Sequence, residues 1–157
     1  MSTNGGPPPT EGPRAPYLPP GGQVRRLPLL GLDRQVARGR EFARRALADW
    51  YGWTDEDPGC GPAGEDVLLL VSELLANAAM HAGGTRELIL RATPAVLRVE
   101  VVDGTTTVPR PRTPHRPGLP GGHGLHVVER LSDRWGADPG AAGKTVWLEV
   151  DGDRLSR

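Results

Sequence analysis

The sequence contains one cysteine, one lysine and few aromatic residues, and it has no long apolar run. Cys60 cannot form an internal disulfide and has no second cysteine with which to hold zinc, which indicates a reducing compartment. No apolar stretch approaches the roughly 20 residues that a membrane helix needs. The N-terminus also lacks the charged-then-apolar order of a signal peptide. We therefore expect a cytoplasmic protein that does not enter a membrane.

An excess of charge of one sign is also absent. Lys and Arg together number 19, as do Asp and Glu, so the chain carries no net charge at neutral pH. A neutral protein has no global field to attract nucleic acid or an anionic membrane surface. Direct binding of nucleic acid is therefore not expected.

Length and the distribution of proline and glycine predict one folded domain. A chain of 157 residues can bury one core but is short for two ordinary domains. Residues 1–22 are rich in Pro and Gly, which cannot bury enough apolar area to offset chain entropy, and they predict a disordered tail. The single domain is expected over residues 23–151, followed by a C-terminal tail over 152–157.

Hydrophobic periodicity predicts three helices and a sheet. The helices are expected from an Asp33 cap to Trp50, from about Ala63 to Ala82 with Glu65 and Asp66 in the first turn, and from about Gly124. The strands are expected at Gln23 to Leu29, Glu87 to Ala92, Val96 to Asp103 and Lys144 to Val150, and a long proline-rich loop at 105–122. These elements predict an α/β (α+β) two-layer sandwich, with a mixed, mostly antiparallel sheet covered on one face by the helices.

The first predicted helix carries five arginines, which leaves two interpretations of that surface. They are Arg34, Arg38, Arg40, Arg44 and Arg45. A solvated basic face explains them without any function, and a surface that docks a partner protein is the alternative.

The central helix carries the residues of greatest chemical interest. Glu73, Asn77 and His81 are spaced i, i+4, i+8 along one edge of an apolar stripe, so they need partners. A carboxylate and an amide oxygen one turn apart are donors suited to Mg²⁺ and to positioning a nucleophile beside a phosphate. An edge-exposed glutamate and a capping asparagine would account for the same two residues.

Two glycine-containing segments provide weaker signals. Gly122 and Gly124 precede or open the third helix, where backbone N–H groups can reach phosphate oxygens. Gly143-Lys144-Thr145 suggests a P-loop, but Asp138 stands where that motif needs glycine, and a strand follows instead of a helix. The P-loop is rejected, and Thr145 would lie near Asp103 if their strands are neighbours.

The order of these segments is more specific than any one of them. Residues 72–81, 101–104, 122–125 and 143–147 resemble, in that order, the four boxes of the GHKL (Bergerat-fold) ATPase and kinase superfamily. Within it, the chain is most similar to the small anti-sigma factor serine kinases and related ATP-binding regulators of actinobacteria. The resemblance covers roughly residues 23–150, and its most specific part is the helix that contains Glu73 and Asn77.

The resemblance implies a role for each residue of the catalytic and adenine sites. Glu73 would be the general base for a serine hydroxyl, and Asn77 would hold Mg²⁺ that bridges the phosphates of ATP. Asp103 would accept a hydrogen bond from the adenine amino group, with Thr145 assisting it. His81 would either pack within the fold or contact the nucleotide directly.

The remaining implied contacts concern the phosphates. Gly122, Gly124 and Leu125 would belong to the box that closes on them, and residues 105–121 would form the ATP lid. One of the lid arginines, Arg110, Arg112 or Arg116, would reach the γ-phosphate. The box that follows Asp103 departs from the superfamily, because Thr105 and Thr107 replace the usual glycines.

The implied function is an ATP-dependent serine kinase that regulates transcription through a sigma factor or an anti-sigma factor antagonist protein. Intact Glu73 favours this interpretation. The alternative is a catalytically weak or inactive nucleotide-binding module that acts by protein contact, which the altered glycine box favours. Family members often form homodimers, and the first strand or the arginine-rich helix could serve here.

Overall fold

A computed structural model describes residues 16–54, 61–81, 83–104, 123–140 and 143–156. Predictions made for residues 1–15, for the lid at 105–121 with its three arginines, and for Gly122 lie outside these ranges. The side chain of His81 is also outside the described part of the structure. Its two predicted roles therefore remain predictions.

Three helices are present: α1 at Gln35–Tyr51, α2 at Gly61–His81 and α3 at His123–Leu131. The predicted cap of α1 is wrong, because Arg34 occupies the N-cap position in a left-handed conformation, φ 51°, with no side-chain cap hydrogen bond. The Asp33 carboxylate instead pairs with Arg38, with 3.1 Å between Oδ1 and Nη2. That ion pair holds the carboxylate that would have capped the helix.

Helix α2 begins earlier than the sequence predicts and ends where it predicts. Its start at Gly61 puts Glu65 and Asp66 beyond the first turn, and Pro62 is tolerated near the start because its missing N–H is not needed there. The C-terminal end is followed by Gly83 and Gly84, both at positive φ, 70° and 111°. The Gly84 N–H donates to the Ala78 carbonyl at 3.1 Å, so the predicted glycine stop is confirmed.

Five strands form one sheet, ordered β1-β2-β3-β5-β4, and every pairing is antiparallel. They are β1 at Gln23–Pro28, β2 at Thr85–Ala92, β3 at Val96–Asp103, β4 at Arg134–Gly140 and β5 at Gly143–Asp151. The two-layer α+β architecture is thus confirmed, whereas the expectation of a mixed sheet is replaced by an antiparallel one.

Strand β4 is absent from the sequence prediction for a physical reason. Its residues include Gly136, Asp138, Pro139 and Gly140, which are depleted in strands. They are accommodated because β4 lies at the edge of the sheet, where proline need not donate to a second neighbour. The pairing depends on β5, which supplies all of its ladder partners.

The core lies between the helices and one face of the sheet. The predicted apolar stripe of α2 is buried, with no member more than 4% exposed: Val67, Val71, Leu74, Leu75 and Ala78. It belongs to the same core as the inward side chains of the central strands: Leu88, Leu90, Val99, Val101, Val146 and Leu148. At about 25 cal/mol for each Å² of apolar surface buried, this layer is the main source of stability.

The opposite face of the sheet carries charged side chains. A chain of ion pairs crosses it, from Arg91 to Glu100, Arg98, Glu149, Arg134 and Asp151. Arg98 also stacks over the Trp147 ring, 4.2 Å from its centroid. This alternation of an apolar and a charged face is typical of a sheet covered on one side.

The chain ends extend the domain beyond its predicted limits. The Tyr17 N–H donates to the Asp49 carbonyl at 2.8 Å, and Leu18 packs on the core, so residues 16–22 belong to the folded unit. Residues 152–154 form a 3₁₀ turn that buries Leu155 to 1% exposure. Within the described ranges, no helix is long and apolar enough to cross a membrane.

Candidate functional site

Asn77 lies on the inner part of α2 and is buried, with 8% of its surface exposed. Among the residues that the structure describes, no hydrogen bond to its side-chain amide is present. The amide atoms of Asn77 are not among the fully buried polar atoms that lack a partner. An amide that is not engaged by a described residue is open to a ligand, and the ligand-binding role of Asn77 stays a prediction.

Glu73 precedes Asn77 by one helical turn and is half-buried. The i, i+4 spacing places the two side chains on the same face of α2. No ion pair or hydrogen bond joins the Glu73 carboxylate to another described residue. Helix α2 packs against both β3 and α3.

Asp103 is the last residue of β3 and is 1% exposed. The predicted alternation is confirmed, because Leu97, Val99 and Val101 are buried on the face to which Asp103 also points. A carboxylate at this depth requires a counter-ion or several hydrogen bonds. It finds a cation on the neighbouring strand.

That cation is Lys144, the only lysine of the chain. Asp103 and Lys144 are register partners on β3 and β5, and Lys144 Nζ lies 3.2 Å from Asp103 Oδ2. The side chain of Lys144 is 4% exposed and that of Asp103 is 1% exposed, so the ion pair is fully within the fold. Sequence reasoning assigned no role to Lys144.

The prediction that Thr145 assists Asp103 is corrected by the register. The two strands are neighbours, as expected, but Thr145 is opposite Val102, on the other face of the sheet. Lys144 occupies the position beside Asp103 instead. The alternation of Val146, Leu148 and Val150, all buried, places Lys144 on the core face, but which residue pairs with Asp103 depends on the register of the two strands.

Gly143 fixes the entry of β5 against the end of β3. A Cβ atom at this position would lie 1.8 Å from the Asp103 carbonyl oxygen, an impossible contact with backbone. Only glycine therefore allows this close approach. An opening of about 170 Å³ adjoins this end of the two strands, and its lining includes Val102 and Thr145 of the outer face as well as Asp103 and Lys144.

The start of α3 supplies the phosphate-side residues that the structure describes. Leu125 is 1% exposed, and α3 packs on α2 close to its functional face. Gly124 is the second residue of α3, near the positive end of the helix dipole. Leu125 is buried, and contact of Leu125 or Gly124 with the nucleotide stays a prediction.

The donor set fits a nucleotide with Mg²⁺. In the described ranges there is no cluster of three or more His, Cys, Asp or Glu side chains that could hold a metal without help. Mg²⁺ commonly takes one or two protein oxygens and completes its shell with phosphate oxygens and water. The partner-free amide of Asn77 is suited to that arrangement, and Asp103 offers a carboxylate that can accept several hydrogen bonds.

Comparison with known proteins supports this interpretation. The family model of the histidine kinase-like ATPase domain matches residues 31–150. The chain therefore belongs to that family, and its resemblance to the GHKL superfamily is confirmed. Domains of this family bind ATP, usually with Mg²⁺. A search of curated proteins found no match to the chain.

Proposed function

We propose that this domain binds ATP with Mg²⁺ and transfers the γ-phosphoryl group to a serine of a partner protein, as an anti-sigma-factor-like kinase. The observation that carries the proposal is the buried amide of Asn77, which has no partner among the described residues and is one turn from Glu73. Membership of the histidine kinase-like ATPase family supports the binding of ATP. The serine substrate follows from the sequence resemblance.

The residues divide the chemistry between them. Asn77 would contribute its amide oxygen to Mg²⁺, and Asp103 would accept a hydrogen bond from the nucleobase amino group. ATP supplies the γ-phosphoryl group. Glu73 would take the proton of the attacking serine hydroxyl. The new bond between serine Oγ and phosphorus would form as the bond between phosphorus and the β,γ-bridging oxygen breaks, which releases ADP.

A groove beside α1 supports the proposal that the domain binds a partner protein. A groove of about 770 Å³ has an apolar floor and an arginine rim; its lining residues are Leu32, Arg34, Gln35, Val36, Ala37, Arg40, Ala79, Gly83 and Gly84. Both arginines are exposed, and neither forms an ion pair within the described part of the chain. An acidic segment of an antagonist protein or a sigma factor would complement this surface.

A second candidate is a nucleotide-binding module that regulates its partner without phosphoryl transfer. The box after Asp103 favours it, because Thr105 and Thr107 replace the usual glycines there. A slow enzyme needs the Glu73 carboxylate for phosphoryl transfer, whereas a binding module does not. Nucleotide binding alone requires Asn77 and Asp103 but no general base.

Nucleotide binding is tested by the change in melting temperature that Mg²⁺ and ATP produce. At a ligand concentration of about 100 times Kd, the expected stabilisation is about 2.7 kcal/mol. Asn77→Ala should lose most of this shift, whereas Ser72→Ala, a substitution elsewhere on the same helix, should retain it. No shift for the parent protein, or an equal shift for Asn77→Ala, would contradict the proposed site.

Phosphoryl transfer is tested by incubation with γ-labelled ATP and a partner protein that co-purifies with the chain. Glu73→Gln keeps the size of the side chain and removes the base, so transfer should fall by about 10²- to 10⁴-fold while ATP still binds. Transfer that is equally fast in this variant would exclude Glu73 as the base. Nucleotide binding without any transfer by the parent would favour the regulatory module.

A further inference from the structure

Lys144 is the one buried cation among the residues that the structure describes, and neither the sequence nor the family comparison assigns it a function. We propose that Lys144 is a nucleobase-binding residue: its ammonium donates a hydrogen bond to a ring nitrogen of adenine that flanks the amino group received by Asp103. This inference rests on the proposed binding of ATP. It adds a second recognition contact to that of the carboxylate.

The burial of Lys144 points to a ligand. Its side chain is 4% exposed, and an ammonium removed from water needs acceptors for its three N–H donors. Among the described residues, Asp103 is its only charged or hydrogen-bonding partner. One carboxylate oxygen at 3.2 Å leaves at least one N–H donor without an acceptor in the described part of the chain.

The position of Lys144 matches the place where a base would bind. It is opposite Asp103 in the register, on the same face of the sheet. The pair also contributes to a small opening at this end of the strands, which Val102 and Thr145 of the outer face line as well. Gly143 holds the two strands together there, since no other residue permits the contact with the Asp103 carbonyl. Any group that reaches the Asp103 carboxylate therefore also comes within reach of the ammonium.

The chemistry of adenine complements this pair. Its amino group is a donor, and the ring nitrogens N1 and N7 on either side of it are acceptors. A carboxylate and an ammonium that lie side by side present the opposite order, an acceptor next to a donor. Two such contacts orient the base more strongly than Asp103 alone, because the carboxylate by itself accepts from any amino group.

A purely structural role for Lys144 predicts a different behaviour. If Lys144 only neutralises and orients Asp103, removal of a ring nitrogen from the ligand has the same effect whether Lys144 is present or not. If it donates to that nitrogen, the two changes are coupled. A thermodynamic cycle between the residue and the ligand atom therefore separates the two roles.

The experiment measures dissociation constants by calorimetry for ATP, 1-deaza-ATP and 7-deaza-ATP, with the full chain and Mg²⁺. For the parent, one of the two analogues should bind about ten- to hundredfold more weakly than ATP, because a charged donor loses its acceptor. In Lys144→Met that same analogue should bind as well as ATP does. Which analogue is affected identifies N1 or N7 as the acceptor.

Controls keep the test decisive. Arg91→Met, a cation-to-methionine change on the outer face of the sheet, should retain the discrimination of the parent. If Lys144→Met does not fold, Asp103→Asn combined with Lys144→Met removes both charges and should also bind ATP and the analogue alike. Equal penalties in the parent and the Lys144 variants, or no penalty in the parent, would overturn the inference while ATP binding itself stands.

The proposed function fails in a different way. If the parent binds neither ATP nor the analogues, nucleotide binding is wrong, and the role of Lys144 is wrong with it.

Discussion

The buried Asp103–Lys144 pair has a large expected effect on stability, which does not depend on any ligand. Replacement of Lys144 by Met leaves the Asp103 carboxylate, 1% exposed, without its cation. Removal of one partner of a buried ion pair typically costs about 3–5 kcal/mol. A domain is stabilised by only about 5–15 kcal/mol in total, so the free energy of unfolding should fall by about a fifth or more.

Removal of both charges should be far less harmful. In Asp103→Asn with Lys144→Met, neither side chain carries an unpaired charge, and replacement of a buried pair by neutral groups is often close to neutral. We expect the double variant to recover at least about 2 kcal/mol relative to Lys144→Met alone. The assay is urea unfolding followed by the fluorescence of the four tryptophans.

An exposed ion pair provides the matched control. Arg26 Nη1 lies 2.7 Å from Glu87 Oε1, closer than the buried pair, but the two side chains are 53% and 30% exposed. Arg26→Met should therefore cost less than about 1 kcal/mol. If Lys144→Met costs no more than Arg26→Met, burial does not govern the strength of the pair, and the reasoning is refuted.

Two further predictions concern the frame of the site and its pH dependence. Gly143→Ala should destabilise the fold and weaken ATP binding, because a Cβ atom would collide with the Asp103 carbonyl. Calorimetric melting and ATP titration check this prediction. An unchanged melting temperature and an unchanged ATP affinity would contradict the close approach. Burial alone would raise the pKa of Asp133, but the Asp151 N–H, the hydrogen bond and charge of Arg154, and the charge of Arg134 together hold this pKa below its ordinary value. A lowered folded-state pKa stabilises the fold above the unfolded-state pKa of 3.8, and this stabilisation is lost as the pH falls through the folded-state pKa. The free energy of unfolding of Asp133→Asn, measured in urea, should thus decline less than that of the parent between about pH 6 and about pH 3, and equal declines would exclude Asp133 as a contributor.

Local pattern was enough to predict the elements that repeat regularly. The apolar stripe of α2 and the alternation along β3 are periodic in the sequence, so burial of Leu75 and the inward direction of Asp103 followed from spacing alone. The glycine stop after α2 was also predictable, since positive φ angles at Gly83 and Gly84 suit glycine. These properties depend on neighbours within one element.

The pairing of β4 with β5 was beyond the sequence prediction. The residues of β4 have poor strand propensity, and they adopt the extended conformation because β5 supplies a complete ladder of partners. The predicted cap of α1 was wrong for a related reason. The Asp33 carboxylate pairs with Arg38, and Arg34 occupies the N-cap position. Competition between partners cannot be read from propensities.

The sequence by itself determined the family of the domain, and its short motifs selected the candidate site residues Asn77 on α2 and Asp103 on β3. Only the tertiary structure decided what stands beside Asp103. Register is a property of two strands together, and a shift of one residue exchanges the faces, so Thr145 and Lys144 could not be distinguished by their distance along the chain. The antiparallel register of β3 and β5 places Lys144, and not Thr145, against the buried carboxylate.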